Sequence, residues 1–363
     1  MVRPPTTLHS PENGPGTPPR AVFLHAAFAL LCLAALISLP AGCMIGPLDI
    51  PAGEVLAALA KRLGLADSPV EPSVLAVVAD IRAPRVVLAF GAGAGLALAG
   101  AVFQGILRNP LADPFTIGVS TGSAFGASLA IYCGAAGTTA VLGMGMLPLS
   151  ALVGGLAALA VVLTLSRFAG GLRRDSLILG GIIVSTFLAA LISLLKSLDE
   201  DSLSAIVFWL MGGFQGRDWS HVGLFAPFLG IGVLGAALKS RELDLLALGE
   251  VQARAMGVNT GQARAVLLIS ASLLTAAAVS VSGIIGFVGL VAPHVVRLVI
   301  GVGHRPLLAF SSLVGGIALL WSDCAARTIL DQGRELPVGV VTALIGGPVF
   351  CVLLVRRSKG TTP

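Results

Sequence analysis

The sequence predicts an all-α integral membrane protein with ten transmembrane helices and both termini in the cytoplasm. Composition is the first reason. Apolar residues fill 56% of 363 positions and charged residues only 11%, whereas a soluble domain carries roughly 25% charged residues. Mean hydropathy is +0.95. The second reason is a series of ten apolar runs, each near the ~20 residues needed to cross hydrocarbon as a helix. The third is charge: Lys and Arg gather on alternate connections, as they do on the cytoplasmic side of membrane proteins.

Residues 1–20 hold six prolines, two glycines and no apolar run. They read as a Pro-rich disordered tail. The first apolar segment follows Arg20 and is long enough to span, which makes it a poor signal peptide. Spans are expected at 21–40, 86–107, 117–135, 147–166, 177–198, 222–238, 263–281, 283–300, 308–326 and 336–355. They form one membrane domain, 21–357, followed by a short tail, 358–363. The weakest boundary is Ser282-Gly283, between the seventh and eighth spans.

Placing the N-terminus inside puts Arg108, Arg167, Arg173, Arg174, Lys239, Arg241, Arg254, Arg264, Arg297 and Arg305 on inner connections and span ends. An odd number of spans would send Arg356, Arg357 and Lys359 outside, against the charge rule. Three basic residues stand at the outer interface: Arg82 and Arg85 before the second span, and Arg327 after the ninth. They read either as snorkelling anchors or as an arginine set displayed to an acidic partner. Pro84 between the first two stiffens the chain and fixes their relation.

Two common enzyme signatures are lacking: no G-x-x-x-x-G-K-[ST] phosphate loop and no H-E-x-x-H pair occurs. Gly91 and Gly95 form a G-x-x-x-G face inside a span and are expected to pack helices. Five cysteines and five histidines are scattered without metal-ligand spacing. Span interiors are nearly free of carboxylates, which argues against ion coupling. Asp323 is the main exception, four residues before Arg327 and able to pair with it along a helix. Gln104 is a buried polar side chain that serves either interhelical bonding or a translocation path. Asn109-Pro110 ends its helix, and Pro293-His294 falls in the inner half of the eighth span.

The insert at 239–262 is charged and reads as paired short helices. Gly249 breaks the first and Gly257 closes the second, and Glu250 suits the positive start of the second. Ala253 is expected to leave a small face that another surface can approach. The insert is either an amphipathic connector or a coupling helix that docks in a cytoplasmic partner.

Several ordered motifs extend this reading: Arg82-Ala83-Pro84-Arg85; Gln104 followed by Arg108-Asn109-Pro110-Leu111-Ala112-Asp113-Pro114; Gly118 to Gly126; Phe208-Trp209-Leu210-Met211-Gly212; Leu248-Gly249 through Gly257-Val258; Gly286-Phe287-Val288-Gly289-Leu290-Val291-Ala292-Pro293-His294-Val295-Val296-Arg297; and Glu335-Leu336-Pro337-Val338-Gly339-Val340-Val341-Thr342. Over residues 21–357 the chain resembles FecCD-type permease subunits of ABC importers for iron–siderophore complexes, haem and vitamin B12. The resemblance implies type II importer architecture, a homodimer or a heterodimer with a paralogue, and a translocation path at the dimer axis. It implies two cytoplasmic ATPase copies and an extracytoplasmic substrate-binding protein as partners. Arg82, Arg85 and Arg327 match the arginines that receive the binding protein's glutamates. Leu248, Gly249, Glu250, Ala253 and Gly257 match the coupling helices. Gln104, Asn109, Pro110, Pro293 and His294 are candidates for the path or for helix packing, and Asp175-Ser176 loosely resembles an inner gate. The chain is expected to bind no cofactor, metal or nucleic acid, ATP being used by the partner. Iron(III)–siderophore is the expected cargo because it is the commonest in the family. An ion-coupled carrier and a non-transporting scaffold are the competing readings.

Overall fold

The computed structural model describes residues 20–67, 69–138, 145–301, 303–330 and 333–359. The expected tail at 1–20 lies outside the described residues except for Arg20, as do residues 360–363 of the C-terminal tail. Every described element is helical. In order they are α1 (Arg20–Met44), α2 (Ala52–Arg62), α3 (Pro72–Ala76), a π-helical turn (Val77–Arg82), α4 (Ala83–Ile106), a 3-10 turn (Pro114–Ile117), α5 (Val119–Tyr132), α6 (Met146–Phe168) and α7 (Arg174–Leu198). Then come α8 (Glu200–Leu210), α9 (Trp219–Leu238), α10 (Ser240–Leu248), α11 (Glu250–Ala255), α12 (Thr260–Ser282), α13 (Val288–Ile300), α14 (His304–Thr328) and α15 (Val338–Lys359).

Each expected span falls on a helix. Seven stretches are long and apolar enough to cross a membrane: α1, Pro72–Ile106, α6, α7, α9, α12 and α14. The 13 residues of α13 and the apolar stretch Val338–Val352 of α15 are shorter. The second span begins earlier than the sequence suggests. Its charged start reads as solvated, but Arg82 and Arg85 turn inward and the helix runs on through them. The eighth begins later, at Val288, because Gly283 and Phe287 both take positive φ, 68° and 67°, and hold the chain out of helix.

Helices α4 and α12 form the centre, with most of their length buried, while α1 lies at the edge with its apolar side chains outward. An apolar exterior of this kind suits lipid. The α4 core face packs against α14, α12, α13 and α9. Gly91 and Gly95 do pack helices: they face Phe225 and Leu229 of α9. A tighter contact lies elsewhere, where Gly100 of α4 meets the Gly289 carbonyl of α13 so closely that no Cβ fits.

Two of the motifs converge at one node with the end of α12. The end of α8, the end of α12 and the start of α15 meet there. The Gly213 amide donates to the Ser282 carbonyl at 2.7 Å. A Cβ on Gly212, Gly283 or Gly339 would overlap the carbonyl oxygens of Ile284, Trp209 or Met211 respectively.

Candidate functional site

Functional side chains gather at the two opposite ends of the bundle. At the first end, the C-terminus of α1, the start of α4, the end of α14 and the segment before α15 come together. Asp323 is the hub, with no solvent exposure. It accepts from Arg85 Nη2 at 2.8 Å and Nε at 3.0 Å, and from Arg327 Nη2 at 3.1 Å. The expected Asp323–Arg327 pair is therefore present, with Arg85 added from 238 residues away. Arg85 Nη1 also reaches Glu335 at 2.9 Å. Arg82 donates to the Cys43, Met44 and Leu48 carbonyls, and Arg327 to the Ile45 carbonyl. The Cys43 and Met44 carbonyls belong to the last turn of α1, which would otherwise leave them unpaired, and cations suit that negative helix end.

This geometry corrects the expected display of arginines. Arg82, Arg85 and Arg327 are 4%, 7% and 4% exposed, and internal partners hold all three. Arg85 and Glu335 do border a small cleft of about 180 Å³ whose other lining includes Gln215 and Arg217. Arg217 was not singled out from the sequence, where it is one basic residue after the Phe208–Gly212 motif. Its Nη1 lies 3.3 Å from His221 Nε2. Nearby, Asp218 caps α9: its carboxylate accepts from the Ser220 and His221 amides. Burial alone would raise this carboxyl, but bonds from Ser220 and His221 outweigh it and hold it at about 2.

At the second end the insert forms the paired helices α10 and α11, joined at Gly249 with φ 132° and closed at Gly257 with φ 83°. Glu250 stands at the start of α11 and pairs with Arg254 and, at 3.4 Å, with Arg264 of α12. Partial burial opposes the shift, yet the two arginines together hold this carboxyl below its usual range. Two expectations need correction. Ala253 is fully buried against the core and Gly249 is buried too, because one face of the short helices folds back onto α12. The surface on offer is made by Leu248, Val251 and Met256, which are 61%, 78% and 53% exposed, with Gly257 beside them. Val251, two residues before Ala253, lies on the opposite side of α11, and Met256 follows the end of that helix.

The insert is tied to the bundle. Asp244 of α10 accepts from the His304 amide at 2.8 Å and pairs with His304 Nδ1 at 2.7 Å. His304 begins α14, and α14 ends in Asp323 and Arg327. One unbroken helix of 25 residues, about 37 Å at 1.5 Å per residue, thus connects the insert to the arginine cluster.

Beside this tie, Gln104, Asn109, Pro110 and His294 come together around a cavity of about 650 Å³, joined by Arg108, Arg297 and His304. Gln104 Nε2 donates to the Leu290 carbonyl of α13 at 3.2 Å, the expected interhelical bond. Pro293 is buried within α13. Asp175 lies in the first turn of α7, and Ser176 Oγ donates to the Ala169 carbonyl at 3.1 Å. No group of three or more metal-ligating residues occurs among the described residues.

This multi-pass helical fold is that of an ABC transporter permease. The chain matches the model of the FecCD transport family over residues 30–356. It belongs to that family. It is 44% identical over 291 residues to the uncharacterized ABC transporter permease protein YvrB of Bacillus subtilis (strain 168), covering 80% of this chain and 82% of that one. It is 39% identical to the molybdate import system permease protein MolB of Haemophilus influenzae, covering 91% and 94%. The hemin transport system permease protein HmuU of Yersinia pestis is 39% identical, over 77% of this chain and 83% of its own. A solved structure described as an inward-facing conformation of a putative metal-chelate type ABC transporter superposes with TM-score 0.79 and 35% identity, over 91% of this chain and 99% of that one.

Proposed function

We propose that this chain carries an iron(III)–siderophore complex across the cytoplasmic membrane as the permease subunit of an ATP-driven importer. Ten crossings with both termini inside put the insert in the cytoplasm and the arginine cluster on the outer face. Two such subunits, identical or paralogous, enclose the path, and two ATPase copies dock below. The observation that carries the reading is α14. Movement of the insert reaches Asp244, passes to His304 and arrives through one rigid helix at Asp323 and Arg327. ATP binding in the partner would thereby bias a two-state rocking of the subunits.

On the outer face, a substrate-binding protein docks around the set Arg82, Arg85 and Arg327. Since these are internally held, the direct contact falls to the cleft where Arg85 and Arg217 border Glu335. Charge-assisted contacts there would set orientation. The metal-chelate description of the structural neighbour and the hemin, cobalamin and iron-citrate names among the relatives support a bulky chelate as cargo. The experiment is uptake into vesicles reconstituted with the cognate ATPase and binding protein, using labelled iron–siderophore, cobalamin, hemin and molybdate in parallel. ATP-dependent uptake of the iron complex alone is expected. Uptake of another cargo instead overturns the cargo, and uptake without any ATPase overturns the class.

A further inference from the structure

We propose that the cavity at the insert end is a phosphate-binding site. It lies within one subunit, among the α4 end, α10, α13 and α14. Two permanent cations, Arg108 and Arg297, line it, and no carboxylate does. Neither arginine forms an ion pair among the described residues. Arg297 Nε and Nη2 are buried from solvent without a hydrogen-bond partner there. Leaving charged donors buried and unpaired is among the costlier things a fold can do, so the arrangement calls for an anion. His304 donates through Nδ1 to Asp244, which leaves Nε2 as an unpartnered acceptor facing the same cavity. Arg108 is also held at φ 45°, a region that non-glycine residues seldom occupy, and such strain gathers at working sites.

The acceptor inventory narrows the ligand. Gln104 is 1% exposed, its Nε2 is spent on Leu290, and its Oε1 has no partner. That oxygen requires a donor. A carboxylate at neutral pH has none, whereas hydrogen phosphate carries P–OH and a phosphatidylglycerol head group carries hydroxyls beside its phosphate. The guanidinium fork matches phosphate oxygens two at a time. Basic pockets between helices at a membrane's inner face are suited to lipid phosphates. Leu298, on the cavity wall and 67% exposed, gives an acyl chain an apolar lip.

The test uses the purified full chain alone, so it stands or falls independently of the transport reading. Thermal unfolding is followed in neutral detergent with sodium phosphate against sodium chloride at equal ionic strength. A second arm measures lipid retained from phosphatidylcholine vesicles with and without phosphatidylglycerol. A saturable rise with phosphate assigns the free ion. Selective retention of phosphatidylglycerol without a phosphate response assigns the lipid. Arg297→Gln is expected to weaken whichever response occurs by about tenfold to a hundredfold. Arg108→Gln, on an exposed turn, gives the same direction should the first variant fail to fold. Arg167→Gln, with the same charge loss away from the cavity, leaves the response unchanged. Indifference of the native chain to both phosphate sources overturns the proposal, as does native affinity in both cavity variants.

Discussion

Replacing Asp323 by Asn keeps the shape of the hub and deletes its charge. In the native fold that carboxylate receives three close contacts from Arg85, at 2.8 to 3.2 Å, and one from Arg327 at 3.1 Å. The variant leaves Arg327 with carbonyls and a thiol, and Arg85 with Glu335 alone. It also turns an amide donor toward guanidinium donors. Breaking a buried pair by removing one partner costs about 3–5 kcal/mol, a large part of the roughly 5–15 kcal/mol that holds a typical domain folded. Denaturant unfolding of the purified protein in detergent, native against variant, measures the difference. The apolar quadruple variant Arg85→Met, Asp323→Leu, Arg327→Met, Glu335→Met is expected to recover most of the loss, since the carboxylate that Arg85 pairs with is removed together with it and no charge of the cluster is then stranded. A penalty for Asp323→Asn below ~1 kcal/mol, the range of solvated surface pairs, would refute the claim that this cluster is dry and mutually dependent.

Gly100→Ala is expected to lose about 1–3 kcal/mol, read from the same unfolding assay, because the new methyl meets the Gly289 carbonyl and α4 and α13 must part. Val251→Asp should leave the unfolding midpoint within experimental error, being 78% exposed, while abolishing stimulation of the partner ATPase by loaded binding protein. Asp218→Ala is expected to cost about 1 kcal/mol at neutral pH by loss of the α9 cap. The folded carboxyl sits at about 2, below the unfolded value of about 3.9. The capped form's advantage is therefore complete above the unfolded value and disappears as pH falls through about 2, which a pH series of midpoints checks. Glu250→Gln follows the same sign: its carboxyl is also depressed, so native and variant should converge as acid protonates it.

Much of the fold is legible in the chain because apolar runs of membrane length leave little else for the backbone to do. The paired insert was equally legible, since Gly249 and Gly257 supply the two positive-φ breaks that short helices need. Helices α2, α3 and α8 leave little signal in the sequence because they are short and lie between spans. At the arginine end the sequence suggests display to solvent, whereas the structure buries all three side chains. Arginine beside a span suggests water, and nothing local reveals that Glu335, 250 residues on, and three carbonyls of the α1 region consume those donors. Ala253 failed for a related reason: smallness suits an interface, but the same smallness lets a helix lie flush against its own core. The basic cavity needed the tertiary structure, since Arg108, Arg297 and His304 come from three separate segments.

The meeting point of Gly212, Gly283 and Gly339 has a mechanical consequence. Main chain rests on main chain there, with no side chains between to compress or re-sort their rotamers. A joint without cushioning cannot yield a little; it holds or it opens. While it holds, the ends of α8, α12 and α15 move as one; once it opens, they part.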